Sequence, residues 1–150
     1  MSVFNQAQKI SAAQTIDLRS RILRPGQSIE LCHYPEDNFS STFHLGISSS
    51  GKIICNGTFI QQAHEKLNSA ALPYRLRGMA TEPIYQKQGL GSVIVYAGLQ
   101  ELEALGSDLL WFNARTTAES FYTKLGFDSF AEIFDIALIG PHKIMYKWLR

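Results

Sequence analysis

Apolar residues along this chain switch between two spacings, and the switches mark its elements. "TFHLGI" and "KIICNGTFIQ" are β-rich runs parted by the turn formers of "SSSGK", the pattern of a hairpin. "PYRLRGMATEP" alternates Tyr74, Leu76 and Gly78 with Arg75, Arg77 and Met79, which predicts a strand ending near Pro83. Val93, Ile94, Ala97, Leu102 and Leu105 then recur at helical spacing, and Gly106 is placed to end that helix. "DLLWFNAR" is a short unbroken apolar run, as in a strand covered on both faces.

The flanking segments read in the same way. Ile16, Leu18, Ile22 and Leu23 form a helical stripe stopped by Pro25-Gly26, and Ser11 with Gln14 has capping-box spacing at its start. Thr116 and Glu119 repeat that spacing ahead of "AESFYTKL", which Gly126 closes. Val3 to Gln8 predicts a short opening strand, and "SFAEIFDIA" and "HKIMYKWL" predict two closing ones. "RPGQSIELCHYPEDNFSS" carries turn formers and little periodicity, so a mobile connection is expected near residues 25–40. The order β-α-β-β-β-α-β-α-β-β describes a single mixed α/β domain over residues 1–150, built around one central sheet.

Composition narrows the function classes. A net charge of +1 argues against the basic stripe that nucleic-acid binding needs, and no nucleic-acid partner is expected. No apolar stretch reaches membrane-spanning length, and "MSVFNQAQKISAAQ" lacks the features of a signal peptide, so a cytoplasmic protein without a membrane partner is expected. Cys32 and Cys55 sit in apolar surroundings without metal-ligand spacing, which suits two reduced structural thiols and no metal.

The stretch "YQKQGLGSV" carries the chemistry. Gly89 and Gly91 stand at the entry to a helix, where a side chain is given up twice at a cost of roughly 1 kcal/mol each against alanine. Bare backbone at a helix start suits an anion: free N–H groups and the helix dipole face outward, and a phosphate can approach closely. A tight turn into the helix is the plainer reading of the same glycines. No Gly-Lys-Ser/Thr follows, and a third glycine is missing, so neither a Walker loop nor a dinucleotide fingerprint is present. Downstream, "ESFYTKLGF" reads Phe121, Leu125 and Phe127 as core and leaves the Tyr122 hydroxyl available for chemistry.

Taken together, "YRLRGMATEPIYQKQGLGSVIV", "WFNAR" and "ESFYTKLGF" resemble the GCN5-related N-acetyltransferases, and Gln86 to Gly91 matches that family's Gln/Arg-x-x-Gly-x-Gly/Ala signature. "DLRSRILRPG" and "STFHLG" are similar to a bacterial branch of uncharacterised members. The resemblance implies a mostly antiparallel central sheet flanked by helices and splayed between its fourth and fifth strands. It implies acetyl-CoA as co-substrate, with its pyrophosphate on Gln86, Lys87, Gln88, Gly89, Leu90, Gly91 and Ser92. Main-chain groups of Met79, Ala80 and Thr81 would hold the pantetheine arm, and an N–H near Met79 would donate to the thioester oxygen. Asn113 would touch the cofactor or else serve as a turn residue before the next helix.

Tyr122 matches the family's tyrosine that protonates the departing thiolate, a reasonable task for a phenol of ordinary pKa near about 10. The implied reaction is direct attack of a primary amine, from a small molecule or peptide, on acetyl-CoA. Glu82 is a candidate base, acting through water, and His44 and His64 are others. Cys55 is disfavoured as a nucleophile, having no partner histidine at readable spacing. His33, His142, Glu36 and Asp37 are expected to be solvated. A non-catalytic acyl-CoA-binding module on the same fold is the rival reading, and a generic nucleotide-binding domain is a third. The acceptor is not legible, and a homodimer is left open.

Overall fold

The structure, a computed structural model, describes residues 6–149. Its strands are β1 (Gln8–Ile10), β2 (Phe43–Ser49), β3 (Lys52–Gln61), β4 (Pro73–Thr81), β5 (Leu109–Arg115), β6 (Asp128–Ser129), β7 (Phe134–Ile136) and β8 (Gly140–Trp148). They hydrogen-bond in the order β1-β2-β3-β4-β5-β8-β6, with β7 also on β8. The pairs β1–β2, β2–β3, β5–β8, β6–β8 and β7–β8 are antiparallel, whereas β4 and β5 run parallel over Pro73–Arg75 against Leu109–Trp111, where their register ends. The fold is thus a mixed α/β, mostly antiparallel open sheet with flanking helices.

The chain divides into two compact units. The first contains β1, β2, the body of β3, and β4 from Leu76 onward, together with most of the long helix α2 (Leu90–Leu105). Its other helix, α1, is composite: a 3-10 turn at Ala13–Thr15, one α turn at Ile16–Leu18 and a π segment at Arg19–Leu23. Neighbouring residues of β3 show where each helix lies. A Cβ on Gly57 would meet Ile94 of α2, while Thr58 accepts a hydrogen bond from Arg19 of α1. Strand side chains alternate faces, so α1 and α2 cover opposite faces of β3.

In the second unit, β5 is almost wholly buried, as its unbroken apolar run predicts. Trp111 packs with Leu67, Leu109 and Ile144. On the alternate position Phe112 meets Tyr122 of α3 (Glu119–Lys124) and Phe127. Asp108 accepts from the N–H groups of Ala71 and Leu72, and the Ser107 hydroxyl donates to the Leu72 carbonyl, fixing the start of β4.

Several expectations need correction. The segment near residues 25–40 is not a loose connection. It forms a 3-10 turn at Ile29–Cys32, buries Cys32 and Asp37, and ties Asp37 to Arg19 of α1. Asp37 is therefore core, its charge offset by a guanidinium that periodicity could not reveal. His142 is also buried, in β8 against Phe134. The Ser11–Gln14 pair does bond reciprocally, but Glu119 turns to Lys143 and Ser129, and neither Thr116–Ala118 nor α3 has a side-chain cap. "SFAEIFDIA" breaks into β6 and β7, both pairing with β8. The opening strand begins at Gln8, and Val3 to Asn5 lie outside the described residues.

Candidate functional site

In the first unit β4 ends at Thr81, and Glu82 starts a 3-10 turn at Pro83–Tyr85 that leads to the glycine loop. Gln86, Lys87, Gln88 and Gly89 are exposed. The Gln86 side chain donates to the Thr81 carbonyl, so it ties the loop to the strand end and leaves anion contact to the backbone. Lys87 and Gly89 both adopt left-handed conformations, with φ of 65° and 83°. Left-handed residues alternating with ordinary ones turn successive N–H groups toward one concavity, an anion nest.

Helix α2 begins at Leu90, and the Val93 N–H is already bonded to the Gly89 carbonyl at 3.2 Å. The first-turn N–H groups of Leu90, Gly91 and Ser92 precede that bond, so helix geometry gives them no intrahelical acceptor. Leu90 turns its own side chain into the core, which seats the helix start. Gly91 thus lies inside the first turn of the helix rather than ahead of it. A Cβ on Gly89 would meet no atom within 4 Å, so the concavity is open on that side.

Strand β4 approaches this loop through Gly78, Met79, Ala80 and Thr81. Gly78 has φ of 67°, an irregularity inside the strand. The Asn56 side chain donates to its carbonyl at 3.0 Å. Glu82 is mostly sheltered and chelated by Arg21 of α1, at 2.6 and 3.1 Å, while Arg21 also holds Asp17. These hydrogen bonds from Arg21 hold the Glu82 carboxyl below the ordinary carboxylate range despite the opposing effect of burial. Cys55 is buried beside the Thr81 hydroxyl, and burial pushes its thiol up to about 11.

The second unit carries the other candidates. Tyr122 is buried in α3, its ring 4.3 Å from that of Phe112 and 4.9 Å from that of Phe121. Asn113 is half-buried in β5, opposite Ile144 of β8. His64 caps the 3-10 turn Glu65–Leu67 and packs edge-on against Trp111. His44 of the first unit has both ring nitrogens engaged, with Thr58 and the Asp37 carbonyl, which makes it a core residue.

Residues 42–129 match the family model of the acetyltransferase (GNAT) domain, more than half of the chain. The chain belongs to the GNAT acetyltransferase family. It is 42% identical to YitI of Bacillus subtilis strain 168, an uncharacterized N-acetyltransferase, over 145 residues and 97% of both chains. Among solved structures it resembles a candidate N-acetyltransferase from Lactobacillus plantarum (TM-score 0.78, 21% identity, covering 97% of this chain and 100% of that one). It also resembles an aminoglycoside 6'-N-acetyltransferase complexed with coenzyme A (TM-score 0.70, 16% identity, 95% and 96% covered).

As a GNAT protein the chain is an acyltransferase, and acetyl-CoA is its co-substrate. The loop fits that ligand: two left-handed residues, an uncovered glycine and a helix start present backbone donors suited to phosphate oxygens. Among the described residues no helix is long and apolar enough to cross a membrane, and no group of metal-ligating side chains is assembled.

Three residues are not singled out by any sequence pattern. Arg19, Tyr34 and Asn56 pack around Gly78, and only Gly78 itself, a glycine inside a strand pattern, hints at them.

Proposed function

We propose that the whole chain acts as one N-acetyltransferase domain that moves the acetyl group of acetyl-CoA onto a primary amine of a small molecule or peptide. The amine attacks directly, with no acyl-enzyme. The observation that carries this reading is the Lys87–Gly89 nest at the head of α2, within the stretch that matches the GNAT family. Backbone donors of Gln88, Gly89, Gly91 and Ser92 take the pyrophosphate. Met79, Ala80 and Thr81 hold the pantetheine arm, and the Met79 N–H donates to the thioester oxygen as its charge grows. Tyr122 protonates the departing thiolate, and Asn113 makes a polar cofactor contact.

Glu82 serves the amine. Its carboxylate stays ionised beside Arg21, and because the Arg21 hydrogen bonds also weaken it as a base, it passes the amine proton through water to solvent rather than keeping it. The buried Cys55 thiol, with its raised pKa, has no part in the transfer.

The test has two stages. Acetyl-CoA at a hundredfold excess over its Kd stabilises a binding protein by about 2.7 kcal/mol, a shift that thermal unfolding reads directly. A thiol-release assay across polyamines, aminoglycosides, amino acids and peptides then identifies the acceptor class. Stabilisation without thiol release from any amine would favour the non-catalytic reading. No stabilisation at all would remove the cradle.

A further inference from the structure

The peptide joining Gly78 to Met79 is held from more than one direction. Gly78 takes the left-handed φ of 67° within β4, so the strand is locally irregular and its carbonyl is free to leave the ladder. That carbonyl accepts a hydrogen bond from Asn56 Nδ2 at 3.0 Å. A carbonyl can only accept, so this bond also decides which way the Asn56 amide is turned.

Asn56 lies in β3 and is fully buried, and its Oδ1 has no partner among the described residues. A half-satisfied buried amide is costly, and its retention calls for a reason other than packing. Around Gly78 itself, Arg19 Nε and the Tyr34 hydroxyl lie 3.0 and 3.3 Å from where a Cβ would stand. The Tyr34 ring is stacked between the guanidinium groups of Arg19 and Arg77, at 3.8 and 3.9 Å, so this wall is stiff.

In a planar trans peptide the C=O and the next N–H point in opposite directions. Holding the Gly78 carbonyl on Asn56 therefore aims the Met79 N–H away from Asn56. We propose that Asn56 is a positioning residue for acetyl transfer: its side-chain amide fixes the Gly78–Met79 peptide so that the Met79 N–H meets the thioester oxygen. The inference rests on the reading of Met79 as the donor to that oxygen. A donor aimed in advance needs no reorganisation when charge develops on the oxygen, and this is where such a hydrogen bond has its largest effect. No covalent step involves Asn56.

The test uses the full chain with isotope-labelled methionine, because three methionines give few amide signals and Met79→Leu assigns the one that matters. Two probes are compared: acetyl-CoA, and its S-ethyl thioether, which lacks the carbonyl oxygen. In the wild type the Met79 amide proton moves downfield with acetyl-CoA and not with the thioether. In Asn56→Leu that difference is lost while acetyl-CoA still binds. A purely structural role would weaken both probes alike and leave the difference between them. Full retention of the difference in a folded Asn56→Leu overturns the proposal. Identical responses to the two probes in the wild type overturn the Met79 reading itself, and the proposal with it. Should Asn56→Leu fail to fold, Asn56→Ser supplies the same comparison, since its short hydroxyl cannot span to Gly78.

Discussion

Arg19 donates to Asp37 through two parallel hydrogen bonds, Nη1 to Oδ2 at 2.8 Å and Nη2 to Oδ1 at 2.9 Å, with side chains only 1% and 5% exposed. The pair is extended rather than isolated. Arg19 also donates to the Cys32 carbonyl and the Thr58 hydroxyl, and His44 bridges Thr58 to the Asp37 carbonyl. Since the Asp37 carbonyl can only accept, the His44 tautomer must carry its proton on Nε2. One network therefore joins α1, β2, β3 and the segment around residues 28–40.

Removing one partner of this pair leaves a buried charge uncompensated, which costs about 3–5 kcal/mol. Asp37→Ala should accordingly lower the melting temperature by on the order of 10 °C for a chain of this size. Arg19→Met combined with Asp37→Leu should recover most of the loss, because apolar replacement of both members removes the desolvation cost as well. Equal instability of the single and double variants would show that the hydrogen bonds, and not the stranded charge, dominate. Urea unfolding of the wild type and these two variants decides it.

The same pair sets an acid limb. Burial alone would raise the Asp37 carboxyl, but hydrogen bonds from Arg19 and the Tyr34 N–H, with the Arg19 charge, bring it below its ordinary value of 3.8. A carboxyl depressed in the folded state contributes stability that is complete above its unfolded pKa and is lost as pH falls through the folded one. Unfolding midpoints should therefore fall as pH drops through the ordinary carboxylate range of about 4 and further below it in the wild type, and less steeply in Asp37→Asn. Asp108, lowered by the Ala71 and Leu72 N–H groups against the effect of burial, should leave a residual slope in that variant. An unchanged slope would assign the acid limb to other carboxylates.

How much of this is legible in the sequence depends on range. The hairpin, β4, α2 and β5 announce themselves because period and turn formers are local properties, and the Gly89–Gly91 motif stands at the join of two such elements. Asp37 looks solvated in the sequence because nothing near it supplies a cation; its partner is on α1, eighteen positions away. Glu119 has the capping-box spacing, yet Lys143 and Ser129 offer side-chain partners that the fold brings from further along the chain. Asn56 leaves no signal either: "KIICNGTFIQ" reads as a strand, but nothing in it tells that the asparagine will meet Gly78, 22 positions further on. Local patterns place the glycine loop, while the groups that brace Gly78 of β4 are long-range.

Cys55 should react slowly with thiol reagents. Burial raises its thiol to about 11, and the Thr81 hydroxyl only partly opposes this, so little thiolate exists near neutral pH. Alkylation in the native state should be far slower than in urea, and Cys55→Ala should keep thiol release from acetyl-CoA nearly at the wild-type rate. Rapid native alkylation, or loss of turnover with acetyl-CoA binding retained, would reopen a covalent route.

The Arg21–Glu82 contact predicts a shift of known sign in the pH profile of turnover. Arg21 holds the Glu82 carboxyl low, so the carboxylate persists far down the acid side. Arg21→Met removes the chief depressing hydrogen bonds, and Glu82 should then titrate closer to its ordinary value of 4.5. If Glu82 handles the amine proton, the acidic midpoint of kcat/KM should move upward in Arg21→Met, and Glu82→Gln should lose rate across the whole range. A profile insensitive to both substitutions would remove Glu82 from the reaction and leave deprotonation to solvent.

Binding and proton transfer should separate at Gly89 and Tyr122. Gly89 has φ of 83°, and a Cβ there would have no neighbour within 4 Å, so Gly89→Val meets backbone strain but no steric clash inside the protein. Its branched side chain would occupy the phosphate concavity, and acetyl-CoA should no longer raise the melting temperature. Tyr122→Phe keeps the ring that packs on Phe112, Phe121 and Phe127 and deletes only the hydroxyl. Acetyl-CoA stabilisation should survive in that variant while turnover falls by about tenfold or more, the scale of one general acid. Gly89→Ala gives the needed control for strain, because it carries most of the backbone penalty with much less bulk. Loss of binding in both Gly89 variants would point to loop distortion, whereas loss in Gly89→Val alone places the phosphate against that backbone. Unchanged turnover in Tyr122→Phe would mean that the thiolate leaves without help from the phenol.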